Sequence, residues 1–220
     1  MNPLRTYSAA AILVLAAASA AVDTAYAEEE QVPRRDAARL MMELMTGRGP
    51  IGGAFELSNA DGRRVGTADW RGKFVLLYFG YTFCPDACPT ELNSIAEAIH
   101  LLGPAGEEVQ PVFVTIDPER DRPKMIERYA QSFHPRFVAL HGSESETRRV
   151  ATAYKVFYQT VRRPGTDVYL IDHTSFIYML DATGQFAGYF PTGTSGRRIA
   201  EQVAPLLGPS PVRPGSGRKH

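Results

Sequence analysis

FVLLYF (74–79), GYTFCPDACP (80–89) and TELNSIAEAIHLL (90–102) follow one another without a break, and the fold is read outward from them. The first is a continuous apolar run, the pattern of a strand covered on both faces. The third carries apolar residues at helical spacing. Between them lie Cys84 and Cys88, the two cysteines of the 220-residue chain. Proline suits a first helical position, where its missing N–H would have no partner anyway. Pro89 is therefore expected to open the helix, with Cys88 at its cap.

Downstream, 112–116 reads as a second buried strand, 122–133 as a helix, 137–140 as a short strand and 144–154 as a helix. Strands are expected over 168–171 and 176–180. A tight turn at 181–184 returns the chain over 185–190, and a helix over 197–207 closes it. Upstream, 54–57 and 63–65 flank Asn59-Ala60-Asp61-Gly62 and suggest a hairpin, followed by a turn at 69–73. Strands alternating with helices and ending in a hairpin imply an α/β fold, a central mixed sheet flanked by helices. A cysteine pair between the first central strand and its helix makes that fold thioredoxin-like.

The 24 Lys and Arg balance 24 Asp and Glu, so the formal charge is zero. A nucleic-acid binder would show a basic excess, so no nucleic-acid partner is expected. The apolar fraction of 44 % suffices for one core, placed at 51–208. Residues 1–27 have an early arginine, an alanine-rich apolar run and a terminal Ala25-Tyr26-Ala27, the marks of a signal peptide or an uncleaved amino-terminal anchor. Either makes the domain exported. Residues 28–50 read as a linker with a short helix over 36–45, whose Met41, Met42 and Met45 are better explained as an apolar helix face than as soft metal ligands. Residues 209–220, rich in proline and glycine, are expected to be a disordered tail.

Two cysteines in an exported chain usually suggest a staple. A bridge across three residues closes a very small loop and removes little entropy from the unfolded chain, so redox or metal chemistry explains the pair better. The end of a helix dipole near both sulfurs favours thiolate, which is both nucleophile and metal ligand. C-P-D-A-C is one residue longer than the C-x-x-C of thiol–disulfide oxidoreductases, which opens the loop for two sulfurs to hold one ion. A third donor is then required. His173, at the head of the strand FIYML, is the choice, with Asp172 beside it as an outer partner and Asp86 and Asp117 as further tuning residues. Two thiolates and an imidazole suit Cu(I) and also Zn(II). Tyr81 and Phe83 are expected to wall the site. His100, His134 and His141 read as surface or capping residues.

YFGYTFCPDACPTEL together with IDHTSFIYMLDATGQF resembles the Sco/SenC family of copper proteins, and IDPERDRP (116–123) matches a further segment of it. The resemblance spans about 51–207. It implies that Cys84, Cys88 and His173 bind copper, as Cu(I) or Cu(II), and that the cysteines also form a redox disulfide. It further implies a metallochaperone, not an enzyme, that serves the binuclear copper site of cytochrome c oxidase subunit II. The expected partners are that subunit, a thioredoxin-like reductant and a periplasmic copper donor. The expected location is the periplasm, or a tether to the outer face of the inner membrane.

Three other functions compete. A thiol–disulfide reductase would use the same cysteines, but such enzymes place a cis-proline before the facing strand, where this chain has His173-Thr174-Ser175. Cys88-Pro89-Thr90-Glu91 resembles a peroxidatic segment, but position 85 is proline where that chemistry needs threonine. A copper sensor would need the same three ligands as a chaperone.

Overall fold

The computed structural model describes residues 39, 42, 43, 50–162, 165 and 168–208. The segments 1–27 and 209–220, and all of 28–50 except Arg39, Met42, Glu43 and Pro50, lie outside the described residues. Arg39, Met42 and Glu43 are helical.

The chain enters through a small antiparallel hairpin of β1 (Glu56–Ser58) and β2 (Arg64–Gly66), with Leu57 opposite Val65. The Asn59 side chain shapes its turn by accepting from the backbone N–H groups of Asp61 and Arg63, the way asparagine replaces a backbone bond in tight turns. The segment expected as a turn at 69–73 begins as a 3₁₀ helix over Thr67–Trp70.

β3 (Phe74–Gly80) is buried from Val75 to Gly80, as its unbroken apolar run requires. It is the middle strand of a five-stranded sheet. β4 (Val109–Thr115) and then β5 (Val138–Leu140) lie parallel to it on one side. On the other side β8 (Ile177–Leu180) is antiparallel to β3, and β9 (Phe186–Phe190) is antiparallel to β8. Parallel neighbours need crossovers, and helices supply them: α1 (Ala87–Leu102) joins β3 to β4 and α2 (Pro123–Phe133) joins β4 to β5. α3 (Glu144–Ala153) follows β5 and starts in a capping box, in which Ser143 and Glu146 satisfy each other's backbone N–H. α4 (Gly196–Val203) packs against α1, with Ile199 and Val203 buried. The mixed central sheet flanked by helices is the thioredoxin-like fold read from the sequence.

Three local expectations need correction. α1 begins at Ala87, not Pro89, so Cys88 is its second residue and Pro89 its third. The first turn of a helix has no internal partner for its N–H groups, so proline is tolerated anywhere in it. The segment 168–171 is part of a longer strand, β7 (Tyr169–His173), paired antiparallel with β6 (Tyr158–Arg162), which the sequence did not announce. His173 therefore ends β7 and does not head the next strand, which begins at Ile177. The closing helix runs as α helix to Val203 and tightens to 3₁₀ over Ala204–Leu206.

Candidate metal centre

β3 and β8 run antiparallel, with Tyr78 opposite Ile177, so the loop leaving β3 and the loop entering β8 meet at the same end of the sheet. The first loop carries the cysteines and the second begins at His173. In a strand, successive side chains face opposite ways. Ile171 and His173 thus turn inward while Asp172 is exposed. The Cys84 Sγ, the Cys88 Sγ and a His173 ring nitrogen lie within 4.8 Å of one another, and among the described residues no other group of three or more Cys, His, Asp or Glu donors is so placed. The Cys88 sulfur is 3.5 Å from His173 Nε2. The other ring nitrogen, Nδ1, lies 3.1 Å from the Thr174 carbonyl oxygen, which orients the imidazole so that Nε2 faces the sulfurs.

The two thiols differ. Cys88 is fully buried, packed against β3. Gly80 makes this possible: a Cβ there would stand 2.9 Å from the Cys88 sulfur and 2.8 Å from the Tyr78 ring. Cys84 is half-buried. Its thiol is pulled down to about 4, first because the Cys88 thiol donates to its sulfur, then through His173 and the backbone N–H groups of Asp86 and Cys88, with burial opposing. The Cys88 N–H is 3.4 Å from that sulfur. Cys88 is pushed the other way, because its proton is held by Cys84 and because burial penalises its charged form. The expectation that the helix end would favour thiolate at both sulfurs therefore meets a split: Cys84 is pushed toward thiolate and Cys88 away from it.

Aromatic rings and a buried polar cluster hold this arrangement. Tyr78 and Tyr81 both present their rings to His173, with centroids 6.2 and 6.0 Å away and near-perpendicular planes. The Tyr81 hydroxyl accepts from the Ile171 N–H at 3.1 Å, which fastens the cysteine loop to β7. The Tyr78 hydroxyl is buried beside Cys88 with no well-aligned hydrogen bond, and that burial pushes its phenol far up. Asp121, buried, accepts from the backbone N–H and hydroxyl of Thr82 and from the Thr115 hydroxyl. Glu91, one turn into α1, is fully buried and accepts from the Gly193 N–H at 2.7 Å.

Tyr81 walls the site as expected; Phe83, 53 % exposed, faces outward. Asp86 is exposed, stands at the α1 cap and caps with its backbone, not its side chain. Asp117 is buried but bonded to Arg120 and Tyr169. Asp172 stands on the far side of β7 from His173's ring, and the Thr174 carbonyl takes the place proposed for it. His134 accepts from the Arg136 N–H at the end of α2, and His141 sits against the Asn59 carbonyl. Tyr78, Asp121 and Glu91 were not singled out from sequence. Only Glu91 left a trace there, as an acidic residue on the inward face of a helix.

Comparison with known proteins adds relatives to this geometry. The chain is 40 % identical over 152 residues to the SCO2-like protein of Rickettsia felis, covering 69 % of this chain and 74 % of that protein. It is 36 % identical over 179 residues to the mitochondrial SCO2 homolog of Homo sapiens, covering 80 % of this chain and 66 % of that one. Among solved structures, ScoI of Bradyrhizobium japonicum with copper bound is 36 % identical and superposes with a TM-score of 0.65 over 71 % of this chain and 99 % of that one. The family model described as SCO1/SenC matches residues 44–208, a stretch that contains all three soft donors and the whole central sheet, and the chain belongs to that family.

Proposed function

We propose that this chain takes up copper as cargo through Cys84, Cys88 and His173 and delivers it to the binuclear copper site of cytochrome c oxidase subunit II. One observation carries the reading: two sulfurs and an imidazole within 4.8 Å of one another at the end of a sheet. Soft donors in that number suit copper. The copper held by the Bradyrhizobium relative supports the same choice. Cys84, the more readily ionised of the two, receives the ion; Cys88 gives up its proton as it ligates, so uptake releases protons and weakens in acid. His173, held by the Thr174 carbonyl, completes the set. Release proceeds by exchange of these ligands for cysteine and histidine donors on the subunit.

The reading takes 51–208 as the working domain, 28–50 as a linker, and 1–27 as the leader or anchor that exports it to the periplasm or the outer face of the inner membrane. Among the described residues no helix is long and apolar enough to cross a membrane. In an oxidising compartment the cysteines would close into a disulfide, so a thioredoxin-like reductant and a periplasmic copper donor belong to the scheme.

A second reading is favoured by the unequal thiols. Cys84, low in pKa and half-exposed, is suited to attack a disulfide, and buried Cys88 to resolve the mixed disulfide. The chain would then keep the target site's cysteines reduced. Against it, no cis peptide occurs among the described residues, and 173–175 is His-Thr-Ser.

Anaerobic copper titration of the reduced protein separates the two. The expected result is one ion per chain, with sulfur-to-copper absorption that changes in His173→Ala and vanishes in Cys84→Ser and Cys88→Ser. No tight copper, with rapid copper-free reduction of a peptide disulfide, would give the second reading its place.

A further inference from the structure

The loop between β4 and α2 carries Asp117, Arg120 and Asp121 and supplies none of the three donors, yet it touches both halves of the site. Arg120 is its centre. Its Nε is paired with buried Asp117, which fixes where the guanidinium points. Its Nη1 donates to the Tyr169 carbonyl at 2.8 Å, on the strand that ends in His173. One face of the guanidinium lies 3.5 Å from the Tyr169 ring centroid. The same group is 4.9 Å from the ring of Phe83, the residue before Cys84, and 5.7 Å from that of Tyr81. Arg162 stacks on Tyr169 in turn at 5.6 Å. Phe83, Arg120, Tyr169 and Arg162 therefore form an alternating column of rings and cations that runs from the cysteine loop to the β6–β7 hairpin.

We infer that Arg120 is a positioning residue for the metal centre: it sets the separation between Cys84 and His173 by binding the loop of one and the strand of the other at once. This rests on the copper reading above. Elsewhere the β6–β7 pair is joined to no strand of the central sheet. Its ties to the cysteine loop include the Tyr81–Ile171 bond, the contacts of His173 with Tyr81 and Cys88, and this column. A planar guanidinium can stack on two rings while donating in its own plane, and a lysine ammonium offers no such faces. The conservative change Arg120→Lys is thus the decisive one, because it keeps the charge near Asp117 and removes the stack.

Two readouts test this. In the metal-free protein, hydrogen exchange at the Ile171 amide should quicken in Arg120→Lys by about tenfold, as a local opening would, while Val112–Val114 in the sheet centre keep their rates. In the copper protein, affinity should fall about 10- to 100-fold, the range for residues that hold ligands in place, and the sulfur-to-copper bands should move toward those of His173→Ala. Adding Arg120→Lys to His173→Ala should then cost little more, since the ligand it positions is gone. Phe83→Leu, a change at an exposed ring that leaves the fold intact, should shift both readouts less and in the same direction. Wild-type Ile171 exchange and wild-type copper bands in Arg120→Lys and Phe83→Leu would overturn the inference, as would full additivity with His173→Ala. Failure of the unmodified protein to take up copper would remove the proposed function, while Ile171 exchange would still decide the role of Arg120.

Discussion

The cysteine loop and the β6–β7 hairpin both feed the same site, and they are built in opposite ways. The loop leaves a strand buried on both faces and enters a helix whose inner side is core; Cys88 is packed as tightly as any leucine beside it. The hairpin has exposed residues along β6, and Val161 and Val168 lie open to solvent. It belongs to a separate two-stranded sheet and contributes His173 from its last position. Two donors thus sit where a buried strand turns into a core helix, and the third ends a strand whose partner, β6, is largely exposed although β7 itself buries Tyr169 and Ile171. A site made this way takes its sulfurs from the core and holds its imidazole through the Thr174 carbonyl, Tyr81 and Arg120.

Three measurements sharpen or break that contrast. The largest effect belongs to Cys84. With its thiol held near 4, it stays ionised from about pH 5 upward, so its alkylation rate in the reduced, metal-free protein should be nearly flat between pH 5 and 8. An ordinary thiol with a pKa of about 8.5 has only about 0.3 % thiolate at pH 6; Cys84 should exceed it there by about 300-fold in thiolate fraction, of which the weaker nucleophilicity of a stabilised thiolate leaves a rate advantage of about two- to fivefold. The sign follows from the direction of the shift: the rate should fall only as pH drops toward 4, and unfolding should restore ordinary behaviour. A tenfold rise per pH unit between 5 and 8 would mean that Cys88 and His173 do not hold the charge on Cys84.

Next comes Gly80→Ala. Its new methyl meets the Cys88 sulfur, the Tyr78 ring and Phe113, none of which has room to retreat from a buried strand. Chemical denaturation should show a loss of about 1–3 kcal/mol, the usual cost of overpacking, with weaker copper uptake. Unchanged stability would mean the loop side is as yielding as the hairpin. The smallest effect is expected on the exposed side of β7. Asp172→Ala should change stability by less than about 0.5 kcal/mol, as surface changes do, and leave copper affinity as it was. A large loss there would restore Asp172 as a partner of His173.

Legibility in the sequence followed the same divide. The central strand, the cysteine pair and the following helix were plain because burial on both faces leaves a continuous apolar run and a proline marks the helix start to within one turn. The β6–β7 hairpin was half-missed because YQTVR pairs outside the main core, and its mixed polar residues carry no burial signal. His173, picked as the third donor, stands 3.5 Å from the Cys88 sulfur but was assigned to the wrong strand for that reason. Asp172 was favoured on adjacency alone, and strand alternation turns it away. The roles of Asp121 and Tyr78 were not visible, since each acts through contacts with residues distant in sequence or across the sheet, such as Thr82 to Asp121.

Burial of Cys88 beneath half-open Cys84 gives the site a front and a back. An incoming donor from another protein meets the Cys84 side first, and the bond to Cys88 is the last that it reaches. Were copper passed on as proposed, exchange would begin at Cys84 and end at Cys88, and approach to the site would have one favoured direction.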